Sequence, residues 1–258
     1  MISSSLAVAL VAALAQNPTR PTPPVAPAAP VTQSTAPVNA PPPNPFVNLL
    51  PNLGRDLTSL LTENTAIVMG VGTAGTIASH NDDAKIHDWV LKQPDVPGLA
   101  HVGNFAGDAF VQGLVGVGAW AAGKEWQDAR LENTGSDLIR AQILNAVLTV
   151  PIKFVVNRER PDGGHQSFPS GHTSATFATA AVIQRDYGVA ASLPFYALGG
   201  LVSWSRIRSN HHWLSDDVFG AAIGITAGLA VTKGHKNGNW SVVPVKTKGG
   251  GAIYFTRR

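Results

Sequence analysis

Cysteine is absent from this chain of 258 residues. Thiol catalysis, disulfide bonds and cysteine-based zinc sites are therefore excluded, although the absence does not distinguish one cellular compartment from another. Charge is also scarce, since charged residues make up 14% of the sequence and the formal net charge is +3. With no run of lysines or arginines, so small an excess does not indicate nucleic-acid binding. An apolar fraction of 44% is typical of a globular or membrane-associated chain.

The first 15 residues contain no lysine or arginine, but an apolar stretch runs from Leu6 to Ala15. It is too short to cross a bilayer, and Ala13-Leu14-Ala15 has the pattern of a signal-peptidase site. We interpret residues 1–15 as a signal peptide and expect an exported, periplasmic or extracellular protein; the alternative is a short N-terminal helix or anchor. Residues 16–45 are rich in proline, which removes backbone donors, so they are predicted to form an extended linker.

A folded domain is assigned to residues 46–235, because six apolar stretches of helical length lie within it. Alanine and leucine are common in these stretches, and glycine and proline mark their ends. They are Thr65–Ser79, Ala109–Gly123, Leu138–Val156, Thr173–Gln184, Tyr187–Trp204 and Val218–Thr232. Pro151 predicts a kink in the third helix. The sequence thus predicts an all-α fold, a helical bundle.

The uncharged parts of these helices are mostly about 15 residues long, below the roughly 20 that span a bilayer. We therefore expect a bundle that is soluble or associated with a membrane surface. The remaining residues, 236–258, form a C-terminal tail. In it Trp240–Val245 and Ala252–Thr256 alternate like strands on either side of Gly249-Gly250-Gly251, which predicts a small β-hairpin.

Three short polar blocks carry candidate chemistry, and the first runs from Lys153 to Arg160-Pro161. If the third helix continues to Pro161, then Lys153 and Arg160 project from one face and form a clamp for an anion. Pro161 then ends the helix. The alternative for this block alone is a solvated basic face.

The second block is Pro169-Ser170-Gly171-His172, followed by an apolar helix. Ser170 or Thr173 is suited to cap this helix, and Gly171 lets the backbone approach a ligand closely. A helix N-terminus offers free N–H groups to a phosphate, and His172 would lie beside it as a proton donor. The alternative is an ordinary capped helix start with a solvent-facing histidine.

The third block contains Ser205-Arg206, His212 and Asp216. If a helix already begins here, His212 and Asp216 lie one turn apart, and the carboxylate orients the imidazole as a nucleophile. Arg206 is suited to bidentate contact with a phosphate. One alternative is a polar loop without a ligand. A metal site involving His211 is disfavoured, because adjacent histidines rarely face one ion and no HExxH spacing exists.

Taken together, the three blocks resemble the signature of the type-2 phosphatidic acid phosphatase and haloperoxidase superfamily. That signature is K-x6-RP, then PSGH, then SR-x5-H-x3-D, and every motif residue and spacing is present in order. The resemblance covers roughly residues 65–232. It implies a helical bundle in which the three motifs converge on one phosphate site at helix ends.

The resemblance also implies a role for each motif residue. His212 attacks phosphorus to form a phosphohistidine, Asp216 orients it, and His172 protonates the leaving group. The expected phosphate-binding residues are Lys153, Arg160, Ser170, Gly171 and Arg206. Because three cationic side chains and a helix terminus stabilise the transferred phosphoryl group, no metal or other cofactor is expected.

The motifs do not distinguish the phosphatases from the haloperoxidases of this superfamily, and they do not identify the substrate. Vanadium-dependent haloperoxidases share them but are typically longer chains, so the sequence favours a phosphatase. A catalytically idle anion-binding scaffold is disfavoured because nucleophile, acid and clamp are all present. The expected partner is a phosphorylated lipid such as phosphatidate or isoprenyl diphosphate, or a small soluble phosphate, with a membrane surface nearby and no nucleic acid.

Overall fold

The computed structural model describes residues 49–233, 240–247 and 250–257, and their side chains for residues 51–233. Within these ranges the chain forms nine helices followed by a hairpin. The helices are α1 (Leu49–Ser59), α2 (Glu63–His80), α3 (Asp83–Lys92), α4 (Leu99–Ala106), α5 (Ala109–Glu125), α6 (Ala129–Val156), α7 (Gly171–Tyr187), α8 (Val189–Arg208) and α9 (Leu214–Val231). The expected helical bundle is thus confirmed. The predicted signal peptide and linker, residues 1–15 and 16–45, lie outside the described residues.

The hairpin predicted in the C-terminal tail is also confirmed. Strand β1 (Trp240–Thr247) pairs antiparallel with β2 (Gly250–Arg257), and Val243 lies opposite Tyr254. Both strands are longer than the alternation of residues predicted. Because pairing continues to Thr247 and Gly250, the second and third residues of the glycine run belong to β2 instead of the turn.

The centre of the bundle is the contact between α7 and α9, which small residues bring close together. A Cβ placed on Gly224 would lie 2.1 Å from the carbonyl oxygen of Ser174, and one on Gly220 would lie 2.6 Å from that of Ser170. Both positions therefore require glycine. The apolar core continues from this contact into α6 and consists of Leu138, Ala141, Leu144, Ala178, Val182, Ala227, Ala230 and Val231. This packing places the N-terminal ends of α7 and α9 side by side.

Helix α6 begins earlier than predicted and ends at Val156, the last residue of the predicted stretch, without continuing to Pro161. It begins at Ala129 instead of Leu138, because the side chain of Asp128 accepts hydrogen bonds from the amides of Arg130 and Leu131, both at 3.0 Å. It ends at Val156, where Asn157 adopts a left-handed conformation with φ of +45°. The expectation that Lys153 and Arg160 share a helix face was therefore wrong, since Arg160 lies in the loop that follows.

Other helix boundaries were also shifted. Helix α8 continues to Arg208, so Arg206 lies in its last turn. Helix α9 begins at Leu214, earlier than predicted, but still after His212. The sequence analysis missed α1, α3 and α4. Helix α4 has only eight residues, and α3 is too polar to form an apolar stretch. Both helices α6 and α8 continue through a proline, and the kink at Pro151 stays a prediction.

Two described helices, α6 and α9, are long and apolar enough to cross a bilayer. About two thirds of the apolar part of α9 is buried inside the bundle, but only about a third of the apolar part of α6. The length argument from sequence underestimated α6 because its start at Ala129 was missed. Exposed apolar side chains also occur on α4 and α5, among them Phe105 and Phe110. Such an apolar surface is typical of a membrane-associated protein.

Candidate active site

The three polar blocks meet at one end of the bundle, where α6 ends, α7 begins and α8 leads into α9. The amide of Ser170 in the second block donates to the carbonyl of Asp216 in the third, at 3.0 Å. The amide of Asp162, just after the first block, donates to the carbonyl of Asn210 at 3.1 Å. The structure thus brings together the motif segments that lie far apart in sequence.

His212 and Asp216 form a buried pair, with Nδ1 of the histidine 3.6 Å from Oδ2 of the aspartate. His212 lies in the loop before α9, so the pair does not share a helix as expected, although the two side chains still meet. Oδ2 of Asp216 also accepts hydrogen bonds from the hydroxyl of Ser167 and from the amide of Trp213. Its Oδ1 accepts from Nη1 of Arg158 at 2.6 Å. The carboxylate is therefore held from three directions.

Burial lowers the pKa of His212 to about 4, and the nearby ammonium of Lys153 acts in the same direction. The imidazole is therefore neutral at pH 7, which is the form that can act as a nucleophile. Because Nδ1 faces Asp216, Nε2 is the nitrogen left for a reacting group. The role of His212 as the nucleophile stays a prediction.

His172 is the second residue of α7, and the turn between α4 and α5 packs against it. A Cβ placed on Gly107 would lie 3.1 Å from Cβ of His172. Burial, followed by the charge on Arg206, lowers the pKa of His172 to about 4. The free protein therefore holds this imidazole neutral at pH 7. To donate a proton it needs an anion beside it, because a negative charge stabilises the imidazolium and raises its pKa.

Three cationic side chains surround the start of α7 and interact electrostatically. Lys153 lies across Gly171, since a Cβ on that glycine would be 3.7 Å from the lysine Cε. Nη1 of Arg206 donates to the side-chain oxygen of Asn104 at 2.9 Å. The buried Nε atoms of Arg160 and Arg206, however, have no hydrogen-bond partner among the described residues. Both donors remain available to a ligand.

Ser170 is placed differently from the expectation for a phosphate-binding residue. It occupies the N-cap position of α7, but its side chain does not cap the helix. Its amide donates to Asp216 and its hydroxyl donates to Oγ1 of Thr173 at 3.0 Å. Phosphate binding by Ser170 stays a prediction, and it requires one of these bonds to be exchanged. The first-turn amides that follow, beginning with Gly171, are positioned to receive an anion.

The sequence analysis missed several residues that hold the motif side chains in place. Arg158 and Ser167 bond to Asp216, and Asn104 bonds to Arg206. Arg158 lies inside the first block, so its charge was a usable signal. Asn104 had no such signal, because it lies on α4, far from Arg206 in sequence. Within residues 51–233, no group of three or more histidine or acidic side chains is arranged to hold a metal ion.

The sequence model of the PAP2 superfamily matches residues 135–240. Over this range, the PAP2 segment, the chain is similar to the PAP2 superfamily. It contains all three polar blocks, from Lys153 to Asp216, whereas helices α1–α5 precede it. Asn104 on α4 and the α4–α5 turn, which both contact the site, therefore lie outside the PAP2 segment.

Similar proteins include a lipid A 1-phosphatase from Porphyromonas gingivalis, 42% identical over 82 residues. The match covers 30% of this chain and 18% of that relative, so the chain spans less than a fifth of the relative's length. The crystal structure of Aquifex aeolicus LpxE has a TM-score of 0.49 at 24% identity and covers 58% of this chain and 94% of that chain. A transmembrane PAP2-type phosphatidylglycerolphosphate phosphatase from Bacillus subtilis has a TM-score of 0.43 at 20% identity, covering 72% and 93%.

Proposed function

We propose that this chain is a phosphatase that removes a phosphate group, as a monoester or a diphosphate, from a lipid. The observation that supports it most strongly is the pair of buried, unpartnered Nε atoms of Arg160 and Arg206. The two guanidinium groups interact with each other, and Arg206 also acts on His212. Buried donors without partners are costly, and cationic ones most of all. The oxygens of a phosphate are the acceptors that best match arginine donors in number, charge and geometry.

In the proposed first step, Nε2 of His212 attacks phosphorus and the bond from phosphorus to the lipid oxygen breaks. Asp216 holds the proton on Nδ1 and stabilises the positive charge that develops on the ring. His172 gives its proton to the departing alkoxide. The charge of the bound phosphate raises the pKa of His172, so the proton is supplied when substrate is present.

In the second step, the neutral His172 takes a proton from water, and the water oxygen attacks the phosphohistidine. Inorganic phosphate leaves and both histidines return to their starting state. Lys153, Arg160 and Arg206 stabilise the charge on the equatorial oxygens in both steps. We therefore propose that the reaction requires no metal ion, because these cations and the N-terminus of α7 supply the positive charge that a metal ion would otherwise provide.

A lipid substrate is supported by the apolar surface that borders the site. Phe154 and Val155 follow Lys153 directly and are 65% and 85% exposed. On the other elements beside the site, Phe105 on α4 and Phe110 on α5 are 69% and 74% exposed. Exposed apolar patches of this kind mark contact with a membrane or an apolar ligand. The phosphate on a lipid headgroup would enter the site while its acyl chains remain on this surface.

The function is tested with the purified full chain in detergent and in excess chelator. We expect release of inorganic phosphate from phosphatidate, lipid A or isoprenyl diphosphate, little release from glycerol phosphate, and inhibition by vanadate. Release from glycerol phosphate alone would contradict the lipid substrate. Activity that requires a divalent cation would contradict the mechanism, and bromide oxidation with vanadate and peroxide, without phosphate release, would assign the chain to the haloperoxidase branch.

We also propose that the protein is exported, on the basis of Ala13-Leu14-Ala15 and the proline-rich segment that follows. Cleavage after Ala15 would leave a mature chain that starts at Gln16. N-terminal sequencing of the native protein measures this directly. A mature protein that still begins at Met1 or Ile2 in a cytosolic fraction would contradict the proposal.

A further inference from the structure

Asp83 is a buried carboxylate on α3, outside the PAP2 segment, and its side chain is only 6% exposed. Its Oδ2 accepts a hydrogen bond from Nη2 of Arg158 at 2.7 Å. Oδ2 also accepts from the hydroxyl of Ser215 at 2.5 Å, and Oδ1 accepts from the amide of Ser215 at 2.8 Å. Because burying a carboxylate is costly, the position of Asp83 is set by these partners.

The partners of Asp83 are also the immediate neighbours of the His212–Asp216 pair. Nη1 of Arg158 donates to Oδ1 of Asp216 at 2.6 Å and to the hydroxyl of Ser215 at 2.7 Å. The guanidinium of Arg158 therefore lies between two carboxylates. Asp83 balances part of the positive charge of this guanidinium. Without Asp83, more of that charge would act on Asp216.

Asp83 also completes the start of α9, the helix that carries Asp216. The first amides of a helix have no partner within the helix, and Trp213 at the N-cap position has no side-chain acceptor. The carboxylate of Asp83 accepts the amide of Ser215, and its negative charge is favourable at this end of the helix. A residue of α3 thus supplies the acceptor for one first-turn amide of α9, while Asp216 within α9 accepts the amide of Trp213.

We propose that Asp83 is a positioning residue for the catalytic pair. Through Arg158 and Ser215, Asp83 fixes the orientation of the Asp216 carboxylate. It also balances part of the positive charge of Arg158, so that more of the negative charge of Asp216 acts on His212. This inference rests on the proposed function, in which Asp216 stabilises the charge that develops on His212. Asp83 has no bond to the cations of the phosphate site, so its effect falls on turnover and not on phosphate affinity.

The test is Asp83→Asn, which keeps an acceptor for the Ser215 amide but removes the charge. The matched control is Asp82→Asn, since Asp82 precedes it and is 57% exposed. With an aryl phosphate we expect kcat to fall by about 10-fold, the lower end of the range for residues that orient a reacting group through its hydrogen-bond partners, because two hydrogen bonds separate Asp83 from Asp216. The Ki of inorganic phosphate should stay unchanged. A kcat equal to that of the control, or a parallel change in kcat and Ki, would overturn the proposal.

Two further measurements separate the possible reasons for failure. In an Arg158→Met background, Asp83→Asn should cost less than in the wild type, and an equal cost in both backgrounds would overturn the route through Arg158. The ring nitrogen signals of His212 in NMR spectra should move in Asp83→Asn and stay in place in Asp82→Asn. If the wild type shows no phosphatase activity, the proposed function fails, but these signals still decide whether Asp83 positions the pair.

Discussion

The two sides of the site, the nucleophile side and the phosphate side, are built in opposite ways. On the nucleophile side, Asp216 accepts hydrogen bonds from Ser167, Trp213 and Arg158, and these hold its carboxylate 3.6 Å from Nδ1 of His212. On the phosphate side, the buried Nε atoms of Arg160 and Arg206 have no partner among the described residues. The protein holds the group that must stay in place and leaves open the groups that must receive a ligand.

This difference has a physical cause. A nucleophile reacts faster when its orientation is already fixed, because less conformational entropy is lost on reaching the transition state. A binding site for a charged ligand gains from donors that no internal acceptor has already neutralised. The buried, unpartnered Nε donors of Arg160 and Arg206 lower the stability of the free protein. In the proposed function, a bound phosphate restores this stability by accepting hydrogen bonds from them. Substitutions on the nucleophile side should therefore lower turnover, whereas substitutions on the phosphate side should also weaken phosphate binding.

The largest effect is expected on the nucleophile side, from His212→Ala. Without the imidazole no phosphoenzyme forms, and turnover should fall by about 10⁴-fold or more. Rapid-quench trapping of labelled phosphate measures both. The matched control is His211→Ala, because His211 is the neighbouring histidine, whereas the pair with Asp216 is formed by His212. Loss of the phosphoenzyme in His211→Ala together with its survival in His212→Ala would show that the register of the third motif is wrong.

His172→Ala should have the next largest effect, and its size should depend on the leaving group. A general acid contributes about 10²–10⁴-fold when the leaving group is a poor one, such as an alkoxide. An aryl phosphate needs little protonation, so its turnover should be partly spared. The measurement is kcat for an alkyl and an aryl phosphate in the same variant. Equal losses for both substrates would contradict the role as leaving-group acid.

A change on the phosphate side should weaken binding as well as turnover. Arg206→Met removes a donor that faces the phosphate, and kcat/KM should fall by about 10²-fold while the Ki of inorganic phosphate rises. Arg208→Met is the matched control at the end of the same helix, because Arg208 donates to the carbonyls of Val90 and Leu91 instead. An unchanged Ki in Arg206→Met would show that this arginine is not part of the phosphate site.

A separate prediction concerns the stability of the folded protein in acid. The pKa of His212 in the folded protein is about 4, below the unfolded value of about 6.5. The unfolded chain therefore binds more protons between these values, and the free energy of unfolding falls as the pH is lowered from 6.5 to 4. For this histidine the loss is about 3 kcal/mol, measured by urea unfolding at a series of pH values.

Phosphate sharpens this measurement, because it binds the folded state and raises the pKa of both histidines near it. We expect inorganic phosphate to reduce the loss of stability in acid, and His212→Gln to show a shallower dependence on pH than the wild type. A wild type whose stability is constant from pH 6.5 to 4, with or without phosphate, would contradict the buried, neutral state of His212.

Helical content and motif residues could be predicted because their signals are local. Apolar stretches with glycine and proline at their ends locate the long helices to within about one turn, except at the start of α6. Helices α3 and α4 were not predicted, since one is polar and the other is short. The extent of α6 depended on Asp128, whose side chain caps the helix, and on the left-handed backbone at Asn157, neither of which leaves an apolar pattern in the sequence.

The sequence by itself determined which side chains are available for the chemistry: two motif histidines, an aspartate and three cations at fixed spacings. Only the tertiary structure decided how they are held. The close approach of α7 and α9, which glycine permits at Gly220 and Gly224, brings the second and third blocks together. Asp83 reaches Arg158 across 75 positions of the chain. Spacing along the chain carries no information about such contacts, because they depend on how whole helices pack.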